Sequence, residues 1–351
     1  MPEEREGGTG AITRGLASFA GQIRQSGLFE MSGLFEIGPI RNCRSSEPEI
    51  YWLTTNLMRL RFWGTRGSIA APGPGTIHFG GNTSCIELTT GDHTRLVLDC
   101  GTGARLLGNQ MIAEAAGPIS AAILLTHTHW DHIQGFPFFA PLFAAGNHFD
   151  VYGPEKSHLS LQDVLSGQMQ HHYFPVGLDQ LAARITYQDL TEGCYQISGL
   201  NVVAHPMNHP SPTLGYRIEH QGRSVLYLSD HEPFAESLWR DGAEPGRIES
   251  ILEPRDRRHA EYMKGVDVLI HEAQYTPEEY VTKRNWGHST YAYVVELAAA
   301  VGVPRLFLTH HDPSHDDVFV SDIERRARQL ARSLGSNMEV SCAYEGFVIE
   351  V

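Results

Sequence analysis

From residue 58 onward the chain alternates short apolar runs, turn-forming clusters and stretches of helical periodicity, the pattern of an α/β layered fold. The runs that read as strands are LRLRFWG, TSCIELTT, TRLVLDC, AAILLTH, LNVVAH, LGYRIEH, SVLYLSD, VDVLIHE, RLFLTH and a closing pair around EVSCAY and FVIEV. Apolar spacing predicts helices near 158 to 169, 248 to 264, 290 to 301 and 317 to 334. In the last of these, Ile323, Ala327, Leu330 and Leu334 share one face, and Gly335 supplies the left-handed backbone that ends a helix.

Five of the apolar runs end on a residue able to bind metal or move a proton: Asp99, His127, Asp230, the pair His271 and Glu272, and His310. Continuous apolar strands are buried on both faces, and the sites of such sheets gather beyond the strand ends. A single histidine at a strand end is most simply a hydrogen-bonded structural residue. Five such termini, one of them opening the stretch HTHWDH, predict a shared rim.

HTHWDH places His127, His129, Asp131 and His132 within six residues, directly behind the apolar AAILL. His127 and His129, two apart in an extended segment, point the same way and can hold one metal ion, while the following turn lets Asp131 and His132 address a second. Imidazole and carboxylate donors suit zinc, with manganese and iron as alternatives. An aspartate such as Asp230 has two oxygens with which to bridge a pair. Paired ions about 3.5 to 4 Å apart hold a hydroxide nucleophile at neutral pH and stabilise both oxygens of a displacement.

Composition narrows the classes. The 351 residues, 41% hydrophobic and 19% charged, suffice for one large domain or two small ones. A formal net charge of -14 argues against a broad nucleic-acid or anionic-membrane footprint. Five scattered cysteines with no CxxC argue against a disulfide framework or a thiolate zinc site, and a reducing cytoplasm is expected. The charged start MPEEREGG is unlike a secretory signal, and IQGFPFFAPLFAAGNHF, interrupted by Pro137 and Pro141, is too short to span a membrane. Residues 1 to 57 are Gly-rich with few long apolar runs, and we read them as an extension, flexible or docked on the body or a second subunit. Their duplication SGLFEMSGLFE is too short for a repeat fold, and Met58 is an alternative start. Residues 58 to 351 are expected to form the main domain.

HTHWDH resembles the HxHxDH signature of the metallo-β-lactamase-fold hydrolases, and the resemblance runs from about residue 58 to the C-terminus. The histidine of MNHPSPTLGYRIE, the aspartate of YLSD, the HEA and GHST segments and the histidine of LFLTH follow in the family's order. The combination is most similar to the phosphodiesterase branch, which includes ribose cyclic-phosphate phosphodiesterases and tRNA 3'-processing endonucleases. The resemblance implies an αββα sandwich with the site at one edge of two packed sheets. It also implies two divalent ions: His127, His129 and His209 would hold one, Asp131, His132 and His310 the other, and Asp230 would bridge them. His205 is a rival to His209, and His311 to His310.

The same resemblance implies that His288 of WGHST donates a proton to the leaving oxygen, oriented by Glu272 of HEA, with Asp131 also in the catalytic set. The lactamases and lactonases of this fold lack that HEA and GHST pairing, so phosphodiester cleavage is expected. No basic Gly/Pro-rich arm of the tRNA-processing kind is visible, and a small diester is therefore favoured over a stable nucleic-acid complex. A tRNA-processing endonuclease, a lactonase or other hydrolase, and a non-catalytic metal binder are the alternatives; a homodimer is left open. Asp99 is read as orienting the ligand loop or as purely structural. Arg66 of GTRGS could meet a phosphate or sit on a plain turn, and His171 and His172 could line the entrance or the surface. Residues 136 to 200, with FPFFAPLF and YFPVGL, are expected to wall the site.

Overall fold

The computed structural model describes residues 57–239 and 247–351. Residues 1 to 56 of the expected extension, with the duplication, lie outside the described residues. Strands β1 (Met58–Gly64), β2 (Cys85–Thr90), β3 (Arg95–Leu98), β4 (Ser120–Leu124), β5 (His148–Pro154) and β6 (Arg184–Leu190) form the first sheet. The second sheet is built from β7 (Gly193–Ile197), β8 (Leu200–Pro206), β9 (Leu214–His220), β10 (Arg223–Leu228), β11 (Val268–Glu272), β12 (Arg305–Thr309) and β13 (Glu339–Cys342). Strand β14 (Val348–Glu350) returns to the edge of the first sheet, where Ile349 pairs antiparallel with Leu60 of β1. The spatial orders are β14-β1-β2-β3-β4-β5-β6 and β13-β12-β11-β10-β9-β8-β7, seven strands each.

Alternation along the strands creates three apolar layers. In β10, Val225 and Tyr227 join the layer between the sheets, while Leu226 and Leu228 join the layer beneath the helices. In β4, Ala122 and Leu124 face inward and Ala121 and Ile123 outward. Each fully buried aliphatic side chain contributes roughly 1.5–3 kcal/mol, so a one-residue register slip in either strand would be costly.

The helices of the described residues are α1 (Ala104–Glu114), α2 (Trp130–Ile133), α3 (Leu161–Gln168), α4 (Pro254–Met263), α5 (Pro277–Tyr280), α6 (Tyr291–Ala300) and α7 (Asp317–Ser333). Leu107 and Met111 of α1 and Leu161 and Leu165 of α3 cover the outer face of the first sheet. Residues of α4, α6 and α7, among them Met263, Val294 and Ile323, cover the second. The architecture is the αββα sandwich. The helix expected over 248 to 264 begins only at Pro254, because proline fits the first turn of a helix and not its interior; Glu253 caps it by accepting from Arg255 N–H. No helix of the described residues is long and apolar enough to cross a membrane.

Candidate metal centre

The strand ends meet at one rim. Beyond β3, Asp99 accepts from Thr126 N–H (2.7 Å) through Oδ1 and from Tyr227 O–H (2.7 Å) and His132 Nδ1–H (2.9 Å) through Oδ2. One buried carboxylate thus ties β3, the HTHWDH loop and β10 together. It also fixes the His132 tautomer, leaving Nε2 free to face inward, the usual arrangement behind a metal-bound histidine. Asp99 and His310 have left-handed backbones (φ 58° and 62°), a conformation that costs a non-glycine residue about 1 kcal/mol or more and clusters at functional sites.

Two donor groups result. The ligand atoms of His127, His129, His209 and Asp230 all lie within 4.8 Å of one another, as do those of Asp131, His132 and His310. Asp230 stands between the groups: Oδ2 is 3.4 Å from His127 Nε2 and 3.6 Å from His209 Nε2, while Oδ1 is 3.3 Å from both His132 Nε2 and His310 Nε2. Asp131 Oδ2 is 3.1 Å from His310 Nε2 and accepts from Ser68 N–H at 2.7 Å. His209 donates Nδ1–H to Gly287 O (2.9 Å), and His310 donates Nδ1–H to Gln274 Oε1 (2.9 Å), so both present Nε2 to the centre.

Burial pushes His127 well below the usual imidazole range, with its histidine neighbours adding to the effect, and burial also lowers His129. His132 goes the other way: burial opposes its charge, but Asp131, Asp230 and Asp99 outweigh it. Asp230 stays well below the carboxylate range despite its burial, because His310, His132 and His127 surround it. The carboxylates, His127 and His129 are thus in the states that ligate metal, while His132 and His310, raised by the surrounding aspartates, would release their protons to a cation. His127 Nε2 is a buried nitrogen with no hydrogen-bond partner, aimed at Asp230 Oδ2. Such an orphan is costly unless something else satisfies it. A divalent cation fits this donor set.

His288 lies beside the cluster, with Nδ1 3.9 Å from Asp230 Oδ2 and without a hydrogen-bond partner. Its expected orientation by Glu272 is different in the structure: Nδ1 is 3.8 Å from Glu272 Oε2, beyond hydrogen-bonding reach. Glu272 instead accepts from the backbone N–H groups of His231, Gln274 and Ser289. Burial drives Glu272 up to about 8 and His288 down to about 3.

Arg66 is fully buried, donating to the carbonyls of Gly80 (2.7 Å), Asp312 (3.2 Å) and His315 (2.6 Å); it staples loops and cannot meet a substrate phosphate. His271, at the end of β11, turns from the rim towards His259 (Nε2 to Nε2, 3.2 Å). His205 stacks on Tyr262 and His311 donates to Ala343 O (2.9 Å), so His209 and His310 are the members of each pair that reach the cluster. Of the expected wall over FPFFAPLF and YFPVGL, Phe136 and Phe139 are buried in the layer under the first sheet, Phe138, Phe143 and Tyr173 are exposed, and none of the five lines the metal-side cavity. His171 and His172 are exposed and are not among the residues lining the metal-side cavity. That cavity, ≈ 480 Å³, is bounded by Ser68, Thr128, His129, Trp130, Asp131, Asp230 and His288.

The sequence profile of the β-lactamase superfamily domain matches residues 94–246. Ribonuclease Z of Streptococcus suis (strain 98HAH33) is 26% identical over 314 residues, covering 78% of this chain and 95% of that protein. Among solved structures, the metallo-β-lactamase fold protein YhfI from Bacillus subtilis superposes with a TM-score of 0.58 at 20% identity, over 85% of this chain and 100% of that one. A diphosphatase from the PhnP family gives 0.56 at 19% identity, over 84% of this chain and 97% of its own. The chain has the metallo-β-lactamase fold, and residues 94–246 match the β-lactamase superfamily domain.

In this metallo-β-lactamase fold the residues that sequence reasoning missed support the donor groups from behind. Gln274, 2% exposed, orients His310 while its amide donates to Ser68 Oγ (3.3 Å), Tyr275 Oη (3.2 Å) and Asp312 Oδ2 (3.2 Å). Glu232 accepts from Tyr280 O–H (2.8 Å), Asn285 N–H (2.6 Å) and Gly287 N–H (2.8 Å), shaping the loop before His288. Gly287 has φ 89°, and a Cβ there would sit 2.2 Å from His209 Nδ1, so only glycine lets the carbonyl reach that ring. The signal for it was the glycine of GHST; Gln274 and Glu232 carried none.

Proposed function

We propose that the protein is a dinuclear metal-dependent phosphodiesterase acting on small phosphodiesters such as a cyclic nucleotide or a ribose cyclic phosphate. The observation that supports this most is the division of Asp230: one carboxylate oxygen faces each donor group. In this reading His127, His129 and His209 would hold one ion and Asp131, His132 and His310 the other, with Asp230 shared between the two groups. When bound, the divalent ions, zinc with manganese or iron as alternatives, supply Lewis acidity to the phosphoryl oxygens and lower the pKa of water. His288 acts on the leaving oxygen. Burial, with His310 and His209 adding to it, holds it neutral, and the negative charge of a phosphodiester seated beside it is what would favour the proton-carrying form. Ser68 N–H keeps Asp131 oriented, and Gly287 O keeps His209 oriented, so the donor atoms hold their places as substrate enters.

An endoribonuclease reading draws support from the similarity to Ribonuclease Z along 95% of that protein, and the net charge of -14 weighs against a long polyanionic substrate. The buried free thiols of Cys85, Cys100 and Cys342 suit a reducing cytoplasm. Turnover of bis(p-nitrophenyl) phosphate, cyclic nucleotides, a lactone and a precursor tRNA should be compared at defined zinc, manganese or iron loading. We expect the small diesters to be hydrolysed. Faster cleavage of the precursor tRNA would replace this reading with the endoribonuclease, and turnover of the lactone alone would remove phosphodiester chemistry altogether.

A further inference from the structure

Trp130 is an indole left in water between two donor residues. It is the first residue of α2, flanked by His129 and Asp131, and it is 76% exposed while lining the ≈ 480 Å³ cavity with Asp131, Asp230 and His288. The other tryptophans among the described residues have partners. Trp63 donates to Glu87 Oε2 (3.2 Å) with Arg61 Cζ 4.1 Å over its ring, Trp239 donates to Glu296 Oε2 (2.7 Å), and Trp286 lies under Lys283 Nζ at 4.1 Å. The Trp130 side chain has no hydrogen bond or ring contact among the described residues; only the backbone carbonyl of the residue is engaged, accepting from Gln134 N–H. Large aromatic side chains are normally well buried, so a bare one at a cavity mouth suits a ligand with a flat face.

A second feature of the same segment points to the rest of that ligand. Lys156 Nζ donates to Thr128 Oγ1, two residues before Trp130, and Lys156 is half-buried with no carboxylate ion pair among the described residues. The segment therefore offers one cavity the Thr128 hydroxyl, backed by the Lys156 ammonium with Asp189 in its electrostatic surroundings, and a free π-surface. The cavity volume lies within the ~300–1,000 Å³ of small-molecule sites.

We propose that Trp130 is a stacking platform for the base of a nucleoside phosphodiester whose phosphate faces the two donor groups; this rests on the phosphodiesterase reading and narrows its substrate to diesters carrying an aromatic base. Stacking on an aromatic side chain is sequence-tolerant, so any base would be accepted, with purines favoured by their larger face.

The test compares 2',3'-cyclic AMP with its base-free counterpart, methyl riboside 2,3-cyclic phosphate, on the metal-loaded full chain. Trp130→Ala should raise KM for the base-bearing diester roughly tenfold more than for the base-free one, with kcat and metal content little affected, and Trp130→Phe should recover most of the difference. Equal effects on the two substrates, or equal KM values in the wild type, would overturn the proposal. Calorimetric binding of AMP and of ribose 5-phosphate separates this inference from the activity it rests on. If neither diester is hydrolysed but AMP binds more tightly than ribose 5-phosphate and Trp130→Ala removes the gap, the platform stands and the phosphodiesterase reading falls. No such gap in the wild type overturns the platform itself.

Discussion

Glu232 and Glu272 grip the backbone on either side of His288: Glu232 Oε2 accepts from Gly287 N–H at 2.8 Å, and Glu272 Oε1 accepts from Ser289 N–H. The imidazole is placed by its own peptide, which Glu232 from the loop after β10 and Glu272 at the end of β11 hold, and not by a side-chain hydrogen bond. Two backbone hydrogen bonds on adjacent peptides fix the position of His288 more tightly than one would, which suits a residue that must stay put when charge develops near it.

If His288 protonates the leaving oxygen, its removal should matter only when the leaving group needs a proton. His288→Ala should lower turnover of a ribose diester by about 10² to 10⁴, while bis(p-nitrophenyl) phosphate, whose leaving group departs as an anion, should lose far less. Glu232→Gln should show the same selectivity more weakly, because the amide NH2 cannot accept, so at least one of the three donors now shared by the two carboxylate oxygens loses its partner. Steady-state kinetics on both substrates, with metal content measured alongside, checks this. Equal losses would make His288 a binding or structural residue.

The donor groups predict about two divalent ions per chain. Elemental analysis of loaded protein should find close to two, and His209→Ala or Asp131→Ala should reduce this towards one. His205→Ala is the control: its ring stacks on Tyr262 at 4.2 Å, away from the cluster, and its loss should leave the stoichiometry unchanged. A wild-type value that never exceeds one would remove the dinuclear reading.

The metal donors were legible for a specific reason. HTHWDH lies in one loop, and the apolar strands that precede Asp230 and His310 force those residues to the same rim. What escaped notice acts through the backbone or through burial. Arg66 looks like a loop arginine because nothing local reveals that Gly80, Asp312 and His315 will close over it. Helix α1 was missed because Gly108 lies mid-helix; a Cβ there would come within 2.8 Å of Phe139 and Pro141, so close packing took precedence over helix propensity. Gln274 is one residue beyond the HEA segment, and its role appears only when β11 and β12 are paired and His310 comes alongside.

His205 gives a pH-dependent prediction. Burial lowers it to about 4, against ~6.5 in an unfolded chain. The folded state therefore disfavours the charged form, and the contribution of neutral His205 is complete above pH ~6.5 and is lost as pH falls towards 4. The loss is at most about 3 kcal/mol. His205→Phe keeps a ring against Tyr262 and cannot charge, so denaturant titrations should show the wild type losing more stability than the variant between pH 7 and pH 4.5. Parallel stability curves would mean that His205 stays neutral or escapes to solvent over this range.

Gln274 provides the most discriminating test of how the second donor group is built. Its Oε1 accepts from His310 Nδ1–H at 2.9 Å, fixing the tautomer that turns Nε2 toward Asp131 and Asp230, and its amide is tied down by Ser68, Tyr275 and Asp312. Asp99 performs the same task for His132 with a full charge. Loss of such an orienting partner typically costs 10- to 100-fold in metal affinity. Gln274→Leu should therefore weaken one of the two ions by about that factor in chelator competition and leave the other within a few-fold. Gln274→Glu restores an acceptor and adds a charge behind His310, so it should bind that ion at least as tightly as the wild type does. If both variants weaken the same ion equally, the amide's links to Ser68 and Asp312 matter more than the orientation of His310. If neither changes either affinity, His310 is not held by Gln274 when metal is bound.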